Sequence, residues 1–148
     1  MHLALDTHSE DETRAAAAHV ARMIGPGAVL ALVGPLGSGK TCFVRGFIEA
    51  FHGSASSFLG SPTFTLVHEY PGVPCPIYHF DFYRLVRPRD VFDIGWLDYR
   101  SRGHVCVVEW ADRVPEAMPQ AALWLQLSVP AEGVRRIETM AAPHGAQR

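Results

Sequence analysis

Ala28-Val29-Leu30-Ala31-Leu32-Val33-Gly34-Pro35-Leu36-Gly37-Ser38-Gly39-Lys40-Thr41 joins an apolar run to a glycine-rich loop. Its first six residues are apolar without alternation, the pattern of a strand buried on both faces of a parallel sheet. Gly34 to Thr41 then satisfies G-x-x-x-x-G-K-[ST] at every defined position. In that pattern glycines turn the chain tightly and let backbone N–H groups close around a polyphosphate, at the positive end of the helix that follows. Gly34, Leu36, Gly37, Ser38, Gly39 and Cys42 are therefore expected to contact nucleotide together with Lys40 and Thr41. The Lys40 ammonium is expected on the β and γ phosphates, and the Thr41 hydroxyl on Mg2+. Lys40 is the sole lysine of the chain. A compact ammonium suits this position and a planar guanidinium does not. The bland alternative, a glycine-rich turn that binds nothing, is weakened by the strand pattern before the loop and the helical pattern after it.

Working outward, Phe43, Phe47 and Phe51 recur every four residues with Val44 and Ile48 beside them, which predicts a helix opening at Lys40. Upstream, Ser9-Glu10-Asp11-Glu12 reads as a capping box that starts a helix running to Met23 or Ile24, stopped by Gly25-Pro26-Gly27. Downstream, Gly53 to Gly60 reads as a small, flexible loop leading to Ser61-Pro62-Thr63. Strands are predicted over Phe64–Tyr70, Ile77–Tyr83 and Val105–Val108, with short helices over Pro88–Ile94 and Trp96–Tyr99. Alternation in the second of these strands sets Tyr78, Phe80 and Phe82 against Ile77, His79, Asp81 and Tyr83. Leu123–Val129 and Arg135–Thr139 are read as a terminal hairpin across Pro130 to Gly133. The expected fold class is α/β: a P-loop NTPase-like three-layer fold whose central, mostly parallel sheet carries antiparallel additions. Residues 1–140 are expected to form one P-loop domain and 141–148 a disordered tail.

The chain has 148 residues, 48% of them hydrophobic, enough for one domain with its own core. A formal charge of −2 argues against a protein that grips nucleic acid by itself. Cys42, Cys75 and Cys106 are odd in number and widely spaced, which indicates reduced thiols of a cytoplasmic protein rather than a disulfide framework or zinc site. The first residues carry no basic start and no long apolar run, so neither a signal peptide nor a membrane span is expected.

P-loop enzymes complete their magnesium site with an acid at the end of a neighbouring apolar strand. Glu109 ends Val105-Cys106-Val107-Val108, and Asp81 ends His79-Phe80-Asp81. Either alone is as readily a solvated turn residue or a cap. Beside a P-loop, Glu109 is favoured as metal ligand and Asp81 as a group that orients water or supports the site, although either acid could be the direct ligand. Lys40, Asp81 and Glu109 are the candidate catalytic residues. Trp110 is read as a core aromatic or as a wall beside the nucleotide, and His79 as a hydrogen-bonded structural histidine. Thr63, after a loop and a proline, stands where a segment sensing the γ-phosphate is expected.

Taken together, GPLGSGKT, Ser61-Pro62-Thr63 with its following strand, Tyr78 to Leu85 (YHFDFYRL), Asp93-Ile94-Gly95 and Val108 to Arg113 (VEWADR) resemble the TsaE (YjeE) family of small P-loop ATPases. That resemblance implies a compact α/β ATPase binding ATP and Mg2+, with Thr41 and Glu109 on the metal and Asp81 supporting the site. It implies an ATPase that is weak alone and stimulated by partners, the TsaB–TsaD heterodimer, in the formation of threonylcarbamoyladenosine (t6A) in tRNA. It implies further that TsaD transfers the threonylcarbamoyl group, that ATP hydrolysis resets the pair between turnovers, and that tRNA is met only indirectly through the complex. Two positions depart from the family pattern. Pro35 stands where an acid is usual, and Val134 where arginine is frequent, which leaves Arg135 or Arg136 to make any contact from the hairpin. A P-loop kinase of nucleosides or small metabolites is the alternative, with Arg84, Arg87 and Arg89 as its lid. A nucleotide-gated binding module is a third reading. A GTPase is disfavoured, because N-K-x-D cannot be written with one lysine already in the P-loop.

Overall fold

The computed structural model describes residues 1–53 and 58–146. The centre of the expected loop after Gly53, residues 54–57, and the last two residues of the expected tail lie outside the described residues. The elements run β1 (Ala4–Thr7), α1 (Glu10–Ala21), β2 (Val29–Val33), α2 (Lys40–His52), β3 (Val67–Tyr70), β4 (Ile77–Asp81), α3 (Pro88–Asp93), α4 (Trp96–Ser101), β5 (Val105–Glu109), β6 (Leu123–Ala131) and β7 (Val134–Thr139). Two 3-10 turns, Ala111–Arg113 and Pro115–Ala117, follow β5. They were not anticipated from the sequence.

Among the described residues seven strands form one sheet in the order β1-β7-β6-β2-β5-β4-β3. The inner run β6-β2-β5-β4 is parallel, and β7, β1 and β3 are added antiparallel. Strand alternation sends Leu30, Leu32, Val105, Val107, Leu125 and Leu127 to one face, where α1 and α2 cover them with Val20, Phe43, Phe47 and Ile48. Ala31, Tyr78, Phe80, Cys106, Val108 and Trp124 go to the other, covered by Val91 of α3, Trp96 of α4 and Met118. Helix–sheet–helix layering of this kind buries β2 and β5 on both sides, which is why they read as unbroken apolar runs. Among the described residues no helix is long and apolar enough to cross a membrane.

Two local expectations need correction. Phe64, Thr65 and Leu66 are not strand. The Leu66 N–H closes onto the Pro62 carbonyl at 2.6 Å, with Leu66 at φ 69°, so the chain turns here and β3 begins only at Val67. The hairpin turn is shorter than expected, because β6 continues through Pro130 to Ala131. Its ladder with β2 involves only Leu123 to Gln126, so Pro130 costs no bond there. At the edge of the sheet, β1 pairs with β7 from Ala4↔Glu138 to Thr7↔Arg135.

Candidate nucleotide site

Two helices begin at the same cavity, and they begin differently. At α1, Ser9 Oγ accepts from the Glu12 N–H (3.1 Å), and Glu12 Oε2 accepts from the His8 N–H (2.7 Å). Three acids occupy its first turn. At α2 the cap is Gly39, which has no side chain to offer, and the first turn carries no acid. The opening N–H groups of α2 therefore keep their attraction for an anion. Gly39 holds φ 98°, and a Cβ on Gly34 would lie 2.3 Å from the Leu127 carbonyl oxygen. Both glycines are demanded by the loop's path.

The Lys40 ammonium donates to the carbonyls of Gly34 (2.6 Å) and Pro35 (2.9 Å) and lies 4.2 Å from the centroid of Trp110. Burial pushes this lysine below its ordinary range, while the carboxylates of Glu109, Asp81 and Asp112 push it back up. Trp110 follows β5 at φ 58°, uncommon for a residue with a side chain, and that turn aims its ring across the loop.

Asp81 and Glu109 are register partners on the parallel strands β4 and β5, so their side chains leave the sheet side by side. Their surroundings divide them. Glu109 Oε1 accepts from the Thr41 hydroxyl (3.0 Å) and Oε2 contacts His79 Nε2 (2.6 Å). Asp81 Oδ2 accepts from Ser61 Oγ (2.7 Å) and Thr63 Oγ1 (3.0 Å), and Oδ1 from the Tyr83 N–H (2.8 Å). One acid thus touches the P-loop threonine. The other ties down the segment around Thr63.

The cavity measures about 610 Å3. Of the residues expected from the sequence, Leu36, Gly37, Gly39, Lys40, Thr41, Cys42, Thr63, Asp81, Glu109 and Trp110 line it. Gly34 and Ser38 lie beneath, both buried, and serve the loop from inside. Burial also pushes the Cys42 thiol up, so it enters the cavity as a neutral group. Sequence reading missed Ser61, Tyr83, and the His8–Glu10 edge of α1 as lining residues. The capping signal at Ser9 was visible, but nothing local placed it opposite the P-loop. Arg135 lines the cavity, whereas Arg136 is held outside by Asp6 at 2.7 and 3.0 Å. Arg84, Arg87 and Arg89 do not line it. Arg84 stands over Phe64 at 5.4 Å, and Arg87 pairs with Asp90 at 3.0 Å.

A hydroxyl and two carboxylates are hard oxygen donors, the set that suits Mg2+. Among the described residues no cluster of three or more His, Cys, Asp or Glu forms a metal cage. A magnesium ion would therefore depend on phosphate and water for its remaining ligands, as P-loop sites do.

A phosphate-binding loop between a central parallel strand and an uncapped helix defines a protein of the P-loop NTPase-like class. The comparisons make this narrower. A family model described as "Threonylcarbamoyl adenosine biosynthesis protein TsaE" matches residues 7–137, and the chain belongs to that family. The tRNA threonylcarbamoyladenosine biosynthesis protein TsaE of Bacillus subtilis (strain 168) is 37% identical over 131 residues, 88% of this chain and 80% of that protein. Its counterpart in Treponema pallidum (strain Nichols) is 40% identical over 118 residues, 80% and 85% of the two chains. The crystal structure of Bacillus subtilis YdiB superposes with a TM-score of 0.79 at 34% identity, covering 97% of this chain and 87% of that one.

Proposed function

We propose that this protein binds ATP with Mg2+ in the P-loop cavity and hydrolyses it, weakly alone and faster with the TsaB–TsaD pair, to sustain t6A formation in tRNA. The observation that carries the reading is the convergence of Lys40, the uncapped start of α2, and the Thr41–Glu109 contact in one cavity. Backbone N–H groups and Lys40 hold the phosphates, and Thr41 with Glu109 would hold the metal. A magnesium ion, when bound, neutralises the charge that builds on the β and γ oxygens as the γ-phosphoryl group departs. Asp81 keeps Ser61 and Thr63 at the cavity, where they would meet the γ-phosphate. Trp110 and Tyr83, with ring centroids 4.9 Å apart, wall off water on that side. The net charge of −2 supports a division of labour in which the larger partners carry the tRNA. Three free cysteines agree with a cytoplasmic setting.

The test is ATP hydrolysis by the purified chain, alone and with TsaB–TsaD and tRNA, for wild type, Lys40→Ala and Glu109→Gln. Turnover should rise with the pair and fall about 10- to 100-fold or more in both variants. If the pair has no effect and an added nucleoside is phosphorylated, the kinase reading takes its place.

A further inference from the structure

We infer that His79 is the positioning residue for Glu109: it sets the carboxylate's orientation toward Thr41 and so governs how well the site accepts Mg2+. The inference rests on the reading of Glu109 as a magnesium ligand. His79 is 0% exposed and Glu109 2%. A carboxylate can only accept, so the 2.6 Å contact to Glu109 Oε2 is a donation from the His79 Nε2–H. With Oε2 tethered, the carboxylate presents Oε1 to the Thr41 hydroxyl at 3.0 Å. Two aromatic rings flank the imidazole. Phe58 stacks along its face with centroids 6.3 Å apart and planes 18° apart, and His68 meets it edge-on at 6.5 Å.

The other ring nitrogen separates this role from simple packing. Among the described residues His79 Nδ1 is buried without a hydrogen-bond partner, and an orphaned polar atom is unfavourable in such surroundings. A phenylalanine between Phe58 and His68 would carry no such orphaned nitrogen. What the imidazole alone supplies is the N–H aimed at Glu109. Partners of this kind behind a metal ligand are worth about 10- to 100-fold in metal affinity.

The test measures binding of a fluorescent, non-hydrolysable ATP analogue to the full chain as a function of Mg2+ concentration, with an EDTA series as reference. His79→Phe keeps the ring and removes the donor, and should raise the half-saturating Mg2+ concentration about tenfold or more. Affinity in EDTA should change far less. His79→Gln, whose amide nitrogen reaches the Nε2 position, should recover most of the loss. His79→Asn, whose amide is too short, should not, and the Gln–Asn contrast decides the matter if the Phe variant fails to fold. Glu109→Gln is the control for the underlying reading. If Glu109→Gln raises the Mg2+ requirement and His79→Phe leaves it at the wild-type value, or Gln and Asn behave alike, the positioning role is overturned. If Glu109→Gln itself changes nothing, the ligand reading of Glu109 falls, and the inference with it.

Discussion

At the scale of single residues, Asp81 shows how a carboxylate can be committed before any ligand arrives. Three donors already share its two oxygens, and two of them come from Ser61 and Thr63, 20 and 18 residues earlier in the chain. Asp81→Ala should destabilise the protein by about 1–3 kcal/mol through donors left unsatisfied. Limited proteolysis should then cut around Ser61–Thr63 sooner, with Asp81→Asn, which keeps an acceptor, in between. Cys106 gives a pH prediction. Burial among the apolar residues of β5 raises its thiol from an ordinary 9.0 to about 12, opposed by Arg100. Between those values the unfolded chain has released the proton and the folded chain has kept it. The contribution is therefore intact below about pH 9 and is lost as pH rises toward 12, at about 1.4 kcal/mol per pH unit. Urea unfolding of wild type and Cys106→Ala from pH 8 to 11 should show this slope in their difference. A difference independent of pH would contradict it.

At the scale of elements, α1 packs closely against the middle of α2, the helix that the P-loop opens. Gly46 makes the close approach possible: a Cβ there would meet Arg14 Cα at 2.6 Å and its carbonyl oxygen at 2.8 Å. Gly46→Ala gains up to about 1 kcal/mol of helix propensity yet should lower stability by about 1–3 kcal/mol, because backbone cannot yield as a side-chain tip can. Ser9→Ala removes the cap of α1 and should cost about 1 kcal/mol in the same urea assay. The strand signals were legible because β2 and β5 bury both faces and β4 alternates. The Phe64–Leu66 miss has a physical cause as well. Phe, Thr and Leu favour an extended chain, but Phe64 is 85% exposed, and the Leu66 turn onto Pro62 overrides that preference.

At the scale of the molecule, the cavity lies at the carboxyl ends of β2, β4 and β5, where the chain leaves β2 toward neighbours on both sides of it. Its walls come from the first turn of α1, the P-loop, the ends of β4 and β5, and the β6–β7 hairpin, so a ligand there links segments from His8 to Arg135. A nucleotide bound only by the folded state should stabilise the whole chain by about 2.7 kcal/mol at 100 times its Kd. In a domain of this size that corresponds to a rise in Tm of about 5–10 °C. Thermal unfolding with ATP and Mg2+ should show the shift in wild type and not in Lys40→Ala. A rise of equal size in the variant would remove Lys40 from the binding site.

What the sequence determined by itself is what short-range interactions encode. The P-loop lies within eight consecutive residues, Gly34 to Thr41, each helix start within four, and the sheet faces in alternate positions of one strand. The two acids were visible as strand ends, and His79 as a polar residue on the face of β4 opposite Phe80. Only the tertiary structure divided their contacts. Glu109 is met by Thr41 from 68 positions away and by His79 from 30, Arg135 rather than Arg136 enters the cavity, and the first strand finds its partner 130 residues away. These pairings follow from strand order and register. Both are set by how the apolar faces close on one another, and no local periodicity records that closure.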